Sequence, residues 1–230
     1  MSLFDWAPVW LSLRVALSAL AIVFVLGTLA ARWTARHDFP GRDVVDGLFL
    51  LPLVLPPVVT GFALLVLLGR NGPVGRFLES AFGIRVVFTI HAAILAAAVV
   101  AFPLMYQSAK AAFQSVDPRL EDAARTLGAG EARVFLAVTL PLAWPGVVAG
   151  MALAFARSLG EFGATAMVAG NIPGETTTVP LAIYFLADAG DLRTAGIYAL
   201  WISALSLALV VGLNVWTRRR TPRWQRRSGR

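Results

Sequence analysis

The sequence has no cysteine and a single lysine, and only 14% of its 230 residues are charged. Without cysteine, disulfide frameworks, thiolate nucleophiles and cysteine metal sites are all excluded. The one lysine, Lys110, follows Ala109 rather than glycine. No G-x-x-x-x-G-K-[ST] loop is therefore present to cradle nucleotide phosphates, and ATP hydrolysis by that route is excluded. Paired carboxylates, metal-ligand clusters and Ser-His-Asp sets are lacking too, so neither catalytic nor metal-ligating residues are assigned and the acidic side chains read as helix caps or ion-pair partners. His91 has no second ionisable group near it in sequence, which favours a packed histidine over a proton relay.

What is abundant is apolar: 58% of the residues, against roughly half in an ordinary soluble domain with about a quarter charged. Several nearly uncharged runs approach the ~20 residues that cross a bilayer as a helix. The fold class expected is all-α, a polytopic membrane helical bundle of about five transmembrane helices. The spans fall at about 9–31, 47–68, 86–106, 140–168 and 195–216. Trp6, Trp10 and Trp33 flank the first as interfacial aromatics, and Arg14 can snorkel outward from its start. The segment before it has Asp5 and no basic residue, so it lacks the n-region of a cleavable signal and reads as part of a retained span. The stretch 179–187 is too short to cross and reads as an interfacial or re-entrant helix.

The net charge of +7 could hint at nucleic acid, but position argues against it. Seven arginines crowd residues 217–230, directly after an apolar run, as a cytoplasmic flank would place them. Arg32, Arg36 and Arg42, then Lys110, Arg119, Arg125 and Arg133, fall on the same side of the bundle as that tail. The opposite side holds only Arg70, Arg76, Arg85 and Arg193. The positive-inside rule then puts the N-terminus outside and the C-terminus in the cytoplasm. No internal repeat is visible, which disfavours a self-contained carrier.

Three stretches carry chemistry. Pro52, Pro56 and Pro57 interrupt the second span, which must kink or break; such a break is tolerated only against neighbours or a watery cavity. Pro56, Pro57 and Thr60 are therefore candidates to line a pathway, a packing kink being the alternative. In the fourth span Arg157 and Glu161 are four apart on one helical face, roughly 22 Å beyond Leu142. They border the outer end of a pathway or merely fix a helix. The loop between the third and fourth spans reads as a helix: Asp117 suits the N-cap, Pro118 the first helical position, Glu121 and Asp122 the positive end of the dipole, and Gly128 a left-handed stop. A second short helix covers about 130–138. Ala123 and Ala124 would let another protein approach closely.

The order Asp122-Ala123-Ala124, three residues, Gly128, nine residues, Val138, one residue, Leu140-Pro141 resembles the cytoplasmic EAA loop of bacterial ABC importer permeases, with Asp122 and Val138 in place of the usual Glu and Ile. The run from Phe155 to Thr165, followed by Ala169 to Tyr184, is similar to the molybdate branch of that family; sulfate and thiosulfate permeases are less alike through 171–178. The resemblance covers the chain up to the arginine tail. It implies a type I ABC importer permease: one transmembrane permease domain over 1–230, a coupling loop at 108–140 and a basic cytoplasmic tail at 217–230. It implies ATPase coupling through Glu121, Asp122, Ala123, Ala124 and Gly128. The outer loop 170–180, with Asn171 and Thr177, would meet a periplasmic molybdate-binding protein. The implied partners are a second copy of the chain, a homodimer of ABC ATPase subunits carrying ATP and Mg, that binding protein and membrane lipid, but not nucleic acid. The implied location is a bacterial inner membrane and the implied function ATP-driven molybdate import by alternating access. Sulfate, thiosulfate or tungstate are the alternative substrates, and an ATP-independent anion carrier or channel the alternative class.

Overall fold

The structure, a computed structural model, describes residues 5–220, so that positions 221–230 of the basic tail lie outside the described residues. The described chain is helical: α1 (Ala7–Arg36), α2 (Arg42–Val54), α3 (Pro57–Leu68), α4 (Pro73–Phe82), α5 (Ile90–Gln114), α6 (Pro118–Thr126), α7 (Glu131–Val134), α8 (Leu140–Leu159), α9 (Gly163–Ala169), α10 (Val179–Asp188) and α11 (Leu192–Arg220). Four helical stretches are long and apolar enough to span a membrane: α1, α5, the continuous run Glu131–Leu159, and α11. A fifth crossing exists if α2 and α3 count as one bent span.

The core forms where α1, α5 and α8 meet, and small side chains let them meet closely. Val15, Ala19, Val23 and Ala31 of α1 are buried against a run on α5 that includes Ala93, Ala97, Val100 and Ala101. Lipid tails are as apolar as leucine, so association between such helices rests on close packing of small residues rather than on expelling water. Ala143, Val147 and Ala154 complete the core from α8. α10 and α11 form a smaller cluster with the start of α1, through Val9, Val179, Ala182 and Tyr198.

The second span breaks, as its prolines require, and α2 and α3 meet at 111°. Pro56 and Pro57 lack the N–H groups a continuing helix requires, so Leu55 and Pro56 turn extended, with ψ of 142° and 136°. Other sequence expectations need correction. The fourth span ends early. α8 stops at Leu159, and a new helix starts at Gly163 because Glu161 Oε1 accepts the Ala164 N–H at 2.7 Å and caps it. The second short helix of the cytoplasmic loop is not separate either. α7 passes through a π-helical turn, Phe135–Thr139, straight into α8, with the Leu140 N–H bonding the Phe135 carbonyl. Pro141, lacking an N–H, is accommodated next to this widened turn. α4 was not anticipated; its Val74, Phe77 and Phe82 point away from the bundle. His91 sits exposed in the first turn of α5, not packed inside the span.

Candidate functional site

α6 is built as its residues dictate. The Asp117 carboxylate accepts the Arg119 N–H at 2.9 Å, Pro118 follows, and the chain leaves the helix through Gly128 at φ 82°. Its faces differ sharply. Glu121 is 5% exposed and turned into the protein, where it takes an ion pair from Arg36 at the end of α1 and a hydrogen bond from Thr139 in the π turn. Asp122 is exposed and pairs with Arg125 at 2.7 Å. Arg125 also grips both carboxylate oxygens of Glu131, at 2.5 and 3.1 Å, clamping α6 to α7. These bonds, to Glu131 above all and then Asp122, push the Arg125 pKa above its ordinary value, so the clamp stays charged.

The outward face of α6 is apolar. Ala123 is exposed, Ala124 half-buried, Leu120 49% exposed and Leu127 88% exposed. Leu120, Ala123 and Leu127 lie at i, i+3 and i+7, hence on one side of the helix. They form an exposed apolar strip on an otherwise charged helix. Sequence reasoning named the two alanines but missed both leucines, whose spacing was visible. It also missed Arg36 and Thr139 as partners of Glu121, which spacing could not have revealed.

The second constellation sits where two helix breaks face each other. Gly163, first residue of α9, abuts Pro57 so closely that a Cβ on it would lie 3.0 Å from the proline Cβ. One turn on, a Cβ on Gly61 of α3 would come within 2.7 Å of the Ala164 Cα. The two glycines thus bring the broken halves of separate spans into backbone contact. Thr60 is buried beside Gly61 with no hydrogen-bond partner for its hydroxyl among the described residues, whereas Pro56 and Pro57 are exposed. Arg157 in the last turn of α8 reaches Glu161 at 2.8 Å; the Glu161 side chain is 1% exposed and that of Arg157 28%. The structure therefore joins Pro57, Glu161 and Arg157 through Gly163 and the α9 cap.

The loop from Gly170 to Thr178 is stapled to itself. The Thr176 hydroxyl accepts the Ile172 N–H at 3.0 Å and donates to the Gly170 carbonyl at 3.2 Å, and the Thr177 hydroxyl donates to Asn171 Oδ1 at 2.7 Å. Thr177 is buried and Asn171 half-buried, so the accessible tip is Pro173, Gly174 and Glu175.

Comparison with known proteins agrees with this architecture. The molybdenum transport system permease protein ModB of Escherichia coli K12 is 49% identical over 208 residues, 90% of either chain. The protein of that name in Haemophilus influenzae is 47% identical over 203 residues, 86% of this chain and 89% of its own. The crystal structure of a bacterial ABC transporter that imports the acidic polysaccharide alginate shares the fold, with a TM-score of 0.76 at 19% identity over 96% of this chain and 82% of that one. Residues 23–225 match an inner-membrane permease family, and the chain belongs to it: the binding-protein-dependent transport system inner membrane components.

Proposed function

We propose that the chain is the membrane-spanning subunit of an ATP-driven importer that moves molybdate inward by alternating access. The observation that carries this reading is the near-50% identity to ModB proteins along nine-tenths of both chains, which includes the cytoplasmic loop as well as the spans. A homodimer of the chain encloses the path. ATP and Mg belong to a partner ATPase pair, and a periplasmic binding protein delivers the anion to the outer face.

In this reading the Leu120, Ala123 and Leu127 face of α6 seats in the ATPase, with Gly128 ending the helix. Buried Glu121 acts from behind, passing displacement of α6 into α1 through Arg36 and into the rod leading to α8 through Thr139. ATP binding draws the paired coupling helices together and shifts a two-state equilibrium by differential nucleotide affinity. The facing breaks at Pro56–Pro57 and Gly160–Phe162 are where the path changes shape, and Arg157 borders its outer end. The Pro173–Glu175 tip, rather than Asn171 or Thr177, meets the binding protein. The distribution of Lys and Arg supports an outer N-terminus and an inner C-terminus.

Reconstitution with the ATPase and binding protein tests the assignment: ATP-dependent uptake of molybdate, competed by tungstate and sulfate. Molybdate uptake is expected, with tungstate, of the same charge and tetrahedral shape, competing better than sulfate. Uptake without ATP or without the ATPase would overturn the mechanism, and preference for sulfate would overturn the substrate.

A further inference from the structure

Where the last turn of α1 meets α7 there is a cavity of about 380 Å³. Leu29, Arg32, Trp33, Arg36, His37 and Glu131 line it. Its charges are unequally committed. Arg36 is taken by Glu121, and Glu131, which would repel an anion, has both carboxylate oxygens held by Arg125. Arg32 forms no ion pair among the described residues. Its guanidinium lies over the Phe135 ring, 3.9 Å from the centroid, and its Nη1 is buried with no hydrogen-bond partner. The aromatic face fixes the plane of the cation without using its donors.

A guanidinium that lines a cavity and forms no ion pair among the described residues fits an oxyanion, phosphate above all. The approach to the cavity shows which kind. Leu26, Leu29 and Trp33 form a continuous exposed apolar stripe on α1 that ends at Arg32, and Trp33 stacks on Phe39 at 4.7 Å, as an aromatic at headgroup level would. A free anion has no use for that stripe, whereas an acyl chain does.

We propose that this pocket binds the phosphodiester of an anionic phospholipid, with Arg32 as the phosphate ligand and Leu26, Leu29 and Trp33 along its acyl chain. Only the choice of the cytoplasmic leaflet rests on the orientation proposed above. Basic pockets between helices at that level are suited to anionic headgroups. The lipid would brace the end of α1 beside the Arg36–Glu121 contact.

The test uses the complex with its ATPase in phosphatidylcholine nanodiscs doped with a photoactivatable phosphatidylglycerol, followed by peptide mapping. Labelling is expected on residues 26–37 in wild type, to fall about fivefold in Arg32→Gln and to recover in Arg32→Lys. Excess inorganic phosphate should leave it unchanged. Equal labelling in Arg32→Gln would overturn the proposal, as would competition by inorganic phosphate, which would mark a soluble-anion site. If Arg32→Gln does not assemble, wild type decides alone: equal labelling of residues 26–37 by a photoactivatable phosphatidylcholine overturns the proposal, and preference for phosphatidylglycerol sustains it. No transport or ATPase rate is read, so failure of the transport assignment would be a separate result.

Discussion

Glu121 of α6 is ion-paired to Arg36 at the far end of α1, although its neighbour Asp122 faces solvent. Breaking a buried pair from one side strands the other charge, at ~3 kcal/mol or more. Glu121→Ala should lower the melting temperature and uncouple ATP hydrolysis from uptake, and Arg36→Met in the same chain should recover part of the stability. Thermal melting of single and double variants in nanodiscs checks this; additive losses would show that the two residues do not act as a pair.

Leu127 predicts the opposite behaviour. At 88% exposure it contributes little to the fold, and Leu127→Asp should change stability by less than ~0.5 kcal/mol. Co-purification of the ATPase should nevertheless be lost. Retained co-purification would move the docking surface elsewhere.

The contact between the broken spans is tested at Gly61. Gly61→Ala places a methyl 2.7 Å from a backbone carbon, and overpacking of this kind costs ~1–3 kcal/mol. Gly47→Ala, which meets nothing within 4 Å, is the control and should melt like wild type.

Asp46 of α2 accepts hydrogen bonds from Tyr106 and Lys110 of α5, and the Tyr106 hydroxyl lies 2.7 Å from that of Thr34 on α1. This network ties the first half of the broken span to the core, since α2 has no buried residue. Asp46→Ala leaves Lys110 half-buried without its acidic partner and should cost ~2–3 kcal/mol, partly restored by Lys110→Met. A melting series that shows no restoration would argue against the tether.

For Arg157 and Glu161, removing both charges avoids stranding either one. Arg157→Met with Glu161→Gln keeps a cap acceptor for Ala164 and should assemble normally. Anion uptake should fall about tenfold, equivalent to ~1.4 kcal/mol. Unchanged uptake would reduce the pair to a structural clamp.

The long spans were legible because uncharged runs of sufficient length leave a helix little alternative in lipid. α6 was legible residue by residue, from Asp117 and Pro118 to Gly128. The break at 160–162 was not, although Arg157 and Glu161 interrupt the apolar run, because the deciding event is a side chain, Glu161, turning back to cap Ala164. The inward aim of Glu121 was hidden for a similar reason. Periodicity shows that Glu121 and Leu127 lie on different faces of a helix, but not which face rests on Arg36 and Thr139. α4 escaped notice because its short apolar stripe lies between Gly72 and Gly83, where turn signals dominate.

The unbroken backbone from Glu131 through the π turn to Leu159 makes one lever roughly 43 Å long. Were its cytoplasmic root tilted by about 10°, the tip bearing Arg157 would sweep roughly 7 Å, more than one helical turn of travel. A nudge too small to unfold α6 would thus be magnified at the opposite side of the bundle.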